Sequence, residues 1–272
     1  MCTTWHTVAT RDTRLLRRQL DAVNALPKEY VFLNYLRCHD DIGWGLDYEW
    51  LKQCFGTDEV LHKRYLNDYF QGFTDGSTSR GELYNDDIAS GDARLCGTTA
   101  SLCGIEKAGF EQDPAAMERA VRFDLTLHAM MLMQTGIPML YSGDELAQVN
   151  DYSYKEDPKK ADDSRYLHRG RLKWEQSELR NDKGTPEGQV FCGLHTLLTL
   201  RGDSPAFGTT ADVWTLDTGD DGLLAVGRYA DGQKIIGVFN FTEWEKTVTF
   251  YHDPGEFKDM LTGERHLLQQ LT

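Results

Sequence analysis

Between residues 8 and 26, apolar side chains at Val8, Leu15, Leu16, Leu20, Val23 and Leu26 recur at helical spacing among charged ones and stop at Pro27. This pattern predicts one amphipathic surface helix. Residues 30–37 then form a nearly continuous apolar run rich in aromatic and β-branched side chains, as expected for a strand buried on both faces. The run ends in Cys38, His39, Asp40, Asp41, Ile42 and Gly43. From residue 44 to about 103, glycine and aspartate interrupt every pattern except one helical stretch at 58–70. Irregular segments of this length inside compact domains are usually functional, so an elaborate loop or small inserted subdomain is expected here.

Asp113 followed by Pro114 is an N-cap and first-turn signature, and the apolar pattern continues through Met117, Val121, Leu125 and Met133 to Gly136. A long helix is predicted there. Residues 137–145 read as a short strand closed by polar groups, 148–188 as charged loop, and 186–201 as a last helix before Gly202, Asp203, Ser204 and Pro205. Beyond it, short alternating runs at 213–216, 223–229, 234–241 and 247–250 are separated by Gly-Asp, Asp-Gly and Pro-Gly turns, which predicts an antiparallel sheet domain. The helix and strand alternation before residue 205 implies an α/β arrangement of parallel strands linked by helices.

The chain has 272 residues, 40% of them apolar, and a net charge of -14, the composition of a globular protein. Its length matches the ~250 residues of a (β/α)₈ barrel as well as two smaller domains. The acidic balance argues against nucleic acid or anionic lipid as a partner, because both require a positive surface. The most apolar stretch, 125–140, is interrupted by His128, Gln134, Thr135, Gly136 and Pro138, so no membrane span is expected. The first residues lack a secretory pattern, and the six cysteines form no C-x-x-C pair. These features point to free thiols in a reducing compartment, and so to the cytoplasm. Dinucleotide, Walker, H-E-x-x-H, G-x-S-x-G and EF-hand patterns are absent from the sequence, so no cofactor or metal is expected.

His39, Asp40 and Asp41 follow directly on the first predicted strand, and α/β proteins place catalytic groups at the C-terminal ends of strands. Adjacent acids beside a histidine can stabilise a cation, bind sugar hydroxyls or position a water; they can equally be a solvated strand end. Asp144 and Glu145 follow the second strand, where capping of backbone N–H groups is the rival role. Asp92 with Arg94, and Asp162 and Asp163 with Arg165, read by themselves as surface ion pairs worth ~0 to 1 kcal/mol. Trp44, Tyr84 and Trp174 could stack on sugar rings or serve as packing anchors.

Four strings in order, FLNYLRCHDDIGW at 32–44, GDARLCGT at 91–98, GIPMLYSGDE at 136–145 and DDSRYLHR at 162–169, resemble amylosucrase and its relatives in the α-amylase superfamily, glycoside hydrolase family 13. The resemblance covers essentially the whole chain. It implies that Asp40 stabilises an oxocarbenium-like transition state while His39 hydrogen-bonds the glucosyl hydroxyls. Asp41 and Arg94 would contact sucrose and acceptor. Arg165 would close the pocket base through an ion pair to an acid on an earlier barrel loop, and residues 141–145 would be mainly structural. Retaining glycosidases also need a nucleophilic carboxylate and an acid/base carboxylate ~5 Å apart. In this family both precede the His-Asp pair, whereas only 38 residues precede His39 here. The one Arg-x-Asp string, at Arg122 and Asp124, follows the pair and lies inside the long predicted helix, the wrong context for a nucleophile.

The expected architecture is therefore the C-terminal part of a (β/α)₈ barrel. Residues 1–41 would hold the sixth helix and seventh strand, 42–110 an inserted subdomain, 111–205 helix seven, strand eight and helix eight, and 206–272 the β-sheet domain. The expected function is that of a fragment of an amylosucrase-like retaining α-glucosyltransferase or glucosidase acting on sucrose or an α-glucan, inactive by itself. The alternative is a non-catalytic sugar-binding module, or one that complements a separate N-terminal half. Hydrolysis or phosphorolysis would share the same first half-reaction, since acceptor choice lies in loop shape. Two strands cannot close a barrel, so an N-terminal half or self-association is expected to cover the open edge.

Overall fold

The computed structural model describes residues 1–248 and 255–268. The single helix expected at 8–26 is two helices, α1 (Cys2–Thr10) and α2 (Arg14–Asn24). Arg11 takes the left-handed conformation and its N–H returns to the Thr7 carbonyl, ending α1. Asp12 then accepts the Arg14 N–H at 3.0 Å and starts α2. The two helices have different surroundings. α1 is buried from Thr3 to Ala9, whereas α2 buries only Leu15, Leu16 and Leu20.

The strand expected over 30–37 shrinks to β1 (Leu33–Asn34), and β2 (Ile42–Gly43) follows the acidic string. The expected insertion contains α3 (Tyr48–Phe55), α4 (Glu59–Phe70), β3 (Glu82–Tyr84), β4 (Arg94–Cys96), α5 (Thr99–Leu102) and α6 (Ile105–Glu111). Asp58 caps α4 by accepting the Leu61 N–H. β2, β4 and β3 pair antiparallel with β4 in the middle, so much of the segment that reads as irregular is ordered by partners distant in sequence.

α7 (Pro114–Met133) begins at Asp113, whose carboxylate accepts the Ala116 N–H. β5 (Ile137–Pro138) pairs parallel with β1, Leu33 opposite Ile137 and Asn34 opposite Pro138. The parallel, helix-linked arrangement is therefore present. Among the described residues it comprises two short strands, and no closed barrel is formed. The charged stretch expected as loop carries 3₁₀ turns at Asp144–Leu146, Tyr152–Glu156, Ser164–His168 and Trp174–Asn181, followed by α8 (Pro186–Gly202).

β6 (Asp212–Leu216), β7 (Leu223–Ala230) and β8 (Gln233–Asn240) form the expected antiparallel sheet, with β7 central. The strand expected at 247–250 lies partly outside the described residues; β9 (Gly255–Lys258) and β10 (Arg265–Leu268) pair antiparallel beyond it. One core joins the sheet to the α/β part, with Trp5, Leu36, Phe70, Leu95, Leu127, Met130, Leu224 and Phe239 in one continuous cluster. Each such side chain removed from water contributes roughly 1.5–3 kcal/mol. Two arginines reinforce the junction. Arg201 donates to the Leu132 carbonyl and the buried Arg228 to the Met133 carbonyl at 2.9 Å, satisfying acceptors that the end of α7 leaves open.

Candidate functional site at the end of the first parallel strand

The chain leaves β1 through Leu36 and Arg37, both fully enclosed. Trp5 of α1 fixes this exit by donating from its indole nitrogen to the Leu36 carbonyl at 2.9 Å. Arg37 donates to the Gly97 carbonyl at 2.8 Å and the Asp40 carbonyl at 3.0 Å, bending the backbone across its own guanidinium. That bend turns His39 and Asp40 outward, with side chains 73% and 63% exposed.

His168 holds the far side of the bend. Its Nδ1 accepts the Gly97 N–H at 3.3 Å, so Nε2 carries the proton and faces the His39 carbonyl at 3.2 Å. Burial, with the cations of Arg37 and Arg169 adding to it, lowers the His168 pKa to about 3 and keeps the ring neutral. Arg169 donates to the same His39 carbonyl at 2.6 Å, and its Nη2 lies 3.5 Å from Asp40 Oδ1. Tyr141 donates its hydroxyl to the His168 carbonyl at 3.1 Å. All four strings singled out in the sequence thus converge on one spot, through Arg37 to Asp40, Gly97, Tyr141 and His168 to Arg169.

The sequence-predicted residues fall into two groups around this bend. His39 and Asp40 face each other, Nε2 to Oδ2 at 3.5 Å. Asp41 is half-buried and close enough to Arg165 and Cys96 to act on both electrostatically. Arg165 lies 4.5 Å over the Tyr84 ring. Its carboxylate partner here is Asp163, two residues away, gripped at 2.8 Å by both Nε and Nη2, where the resemblance implied an acid on an earlier barrel loop. Arg94 projects from β4 across Gly43, where an added Cβ would meet its Nη1 at 2.0 Å. Gly43 is therefore the space the Arg94 guanidinium occupies.

The remaining candidates have structural roles. Asp144 accepts the Tyr141 N–H at 3.2 Å and Glu145 the Gly143 N–H at 2.9 Å, so both carboxylates turn back on their own turn. Asp124 is buried in α7 with its Oδ1 3.0 Å from His128 Nδ1, while Arg122 faces solvent near Glu118. Trp44 stacks on Phe70 and donates to Asn67 at 2.8 Å, a packing anchor. Trp174 is exposed. Sequence reasoning missed Arg37, His168 and Arg169. Each lies inside a recognised string, but a lone basic residue carries no signal until its distant carbonyl partner is known.

The site thus offers an exposed imidazole and carboxylate on a braced bend at the C-terminal end of a parallel strand, ringed by guanidinium groups. The guanidinium groups suit recognition of a polyhydroxylated or anionic ligand, and the exposed Asp40 carboxylate can stabilise positive charge. No family model matches the chain. Over 130 residues it is 32% identical to glucosylglycerate phosphorylase of Escherichia coli (strain K12), a match spanning 46% of this chain and 22% of that protein. Its fold resembles that of the sucrose 6F-phosphate phosphorylase from Thermoanaerobacter thermosaccharolyticum, with a TM-score of 0.60 and 19% identity over 98% of this chain. The chain spans 45% of that structure's length, and so less than half of each of these two proteins. No helix among the described residues is long and apolar enough to cross a membrane.

Proposed function

We propose that this chain is the C-terminal portion of a retaining, α-glucosyl-transferring enzyme of glycoside hydrolase family 13, acting on sucrose or an α-glucan. The observation that carries this reading is the convergence of the four strings on the His39 and Asp40 bend at the end of β1. Asp40 is the carboxylate that stabilises the positive sugar in the transition state, and His39 binds a glucosyl hydroxyl. Asp41, Arg94 and Arg165 line the side on which the leaving group and acceptor sit. The nucleophile and the acid/base carboxylate required by a retaining mechanism come from strands outside this chain, so the chain alone does not turn over.

The amylosucrase-like reading rests on the strings alone. A phosphorylase reading, with phosphate as acceptor, is favoured by the names of two proteins to which the chain is similar, and by the guanidinium groups of Arg94, Arg165 and Arg169 around the bend. Its first half-reaction is the same. The non-catalytic reading, a sugar-binding module or a complementing half, is separated by experiment. The purified chain is incubated with sucrose, with and without phosphate, and fructose is measured. No release is expected; release that Asp40→Asn abolishes would overturn the claim of inactivity. Co-expression with a chain carrying the first six barrel strands is expected to restore turnover, again lost in Asp40→Asn. Sucrose binding by the lone chain with no restored turnover would favour the binding module instead.

A further inference from the structure

We propose that Cys38, His39 and Asp40 form a binding site for a divalent cation of the zinc class, a use that their adjacency in sequence does not suggest. On an extended strand, consecutive side chains point to opposite faces. Here the backbone bends at His39 and Asp40, and one ligand atom from each of the three residues lies within 4.8 Å of the other two. The donors are a sulfur, an imidazole nitrogen and a carboxylate oxygen, the set that zinc takes at about 2.3, 2.0–2.1 and 2.0–2.2 Å. Tetrahedral ligation at those lengths puts the donor atoms about 3.5 Å apart, and His39 Nε2 already stands 3.5 Å from Asp40 Oδ2.

The chelate is pre-organised. Arg37 pins the Asp40 carbonyl, Arg169 pins the His39 carbonyl, and the Asp40 N–H points to Cys38 Sγ at 3.4 Å. Arg169 also faces Asp40 Oδ1 at 3.5 Å while Oδ2 faces His39. The carboxylate is thus oriented by an outer partner, as metal-binding carboxylates commonly are. The exposed side chains of His39 and Asp40 leave the fourth position open to water. Binding forms metal bonds to sulfur, nitrogen and oxygen and releases the Cys38 thiol proton to solvent, so affinity rises with pH. The guanidinium groups of Arg37 and Arg169 oppose the incoming charge, which places the affinity below that of a closed structural zinc site.

Metal ligation occupies the same His39 and Asp40 that the proposed function gives to the sugar, so metal and sugar exclude each other; this consequence alone rests on that reading. The test is a cadmium titration of the full chain, reduced and metal-free, followed by thiolate-to-cadmium charge-transfer absorbance. One equivalent is expected to bind. Cys38→Ser should abolish the signal, and His39→Gln and Asp40→Asn should each weaken binding by about tenfold or more, the scale on which even outer partners of a ligand act. Cys54→Ser and Cys192→Ser, at two other accessible thiols, should leave it unchanged. Wild-type affinity in Cys38→Ser, or in both His39→Gln and Asp40→Asn, would overturn the site. The latter pair are exposed positions, so their result does not depend on refolding. Sucrose is added to the loaded protein separately: competition is expected if the two ligands share His39 and Asp40, and sugar that neither binds nor competes removes that consequence alone and leaves the metal site standing.

Discussion

His128 lies in the middle of α7 without solvent contact, Nδ1 3.0 Å from Asp124 Oδ1 and Nε2 3.8 Å from Asp144 Oδ2. Burial alone would lower its pKa, but the two carboxylates outweigh it and raise the pKa to about 10. The folded value is above the ordinary 6.5, so this contribution to stability is complete below pH 6.5 and is lost as pH rises through about 10. His128→Leu leaves Asp124 buried without its cation and is expected to cost ~3–5 kcal/mol in urea unfolding. The alkaline part of the stability curve should flatten in the same variant. His6 and His168 behave in the opposite way. Burial is the main cause in both, with the neighbouring His62 lowering His6 further, to about 4; His168 falls to about 3. The unfolded chain binds more protons than the folded one between these values and the ordinary 6.5. Their stabilisation is present above pH 6.5 and disappears as pH falls through about 4 and then 3. The urea midpoint should therefore drop between pH 6.5 and 4, and a flat midpoint over that window would contradict the assignment.

At the scale of elements, the starts of the three long helices at Glu59, Pro114 and Pro186 were legible, whereas the break between α1 and α2 and the lengths of strands were not. Asp58, Asp113 and Thr185 cap their helices through side chains that accept N–H groups three residues on, a contact set by local spacing. A strand needs a partner, and among the described residues, 30–37 pair in register only at Leu33 and Asn34, with the Phe32 carbonyl closing the first bond. The tight turn before β5 makes even that pairing conditional. Gly136 has φ +119, and a Cβ there would lie 2.3 Å from the Phe32 carbonyl oxygen that accepts the Ile137 N–H. Gly136→Ala is expected to cost more than about 1 kcal/mol and to loosen the β1 and β5 pair. Faster amide exchange at Ile137 and Met139 would show this, since their N–H groups bond Phe32 and Asn34.

For the whole molecule, the two-stranded parallel sheet leaves Tyr30, Val31, Leu33 and Ile137 60%, 54%, 63% and 52% exposed. Tyr30, Val31 and Leu33 read in the sequence as part of a strand buried on both faces, whereas in the structure their side chains are uncovered. An uncovered strand edge with apolar side chains tends to self-associate. Sedimentation velocity is expected to show concentration-dependent association of the chain, relieved in Leu33→Lys with Ile137→Lys. A chain that stays monomeric throughout the micromolar range would contradict this.

The sequence by itself determined the helices near 58–70, 114–133 and 186–202 with the Asp113 cap, the antiparallel tail, the acidic character and the string that carries His39, Asp40 and Asp41 just beyond a parallel strand. All of these depend on neighbours within a few residues or on a composition summed over the chain. Only the tertiary structure decided how short β1 and β5 are, and that Arg37, Gly97, Tyr141, His168 and Arg169 brace one bend. The physical reason is the same in each case. Backbone carbonyls and buried charges must be satisfied by whichever groups folding brings near, and here those groups come from segments up to 130 residues apart.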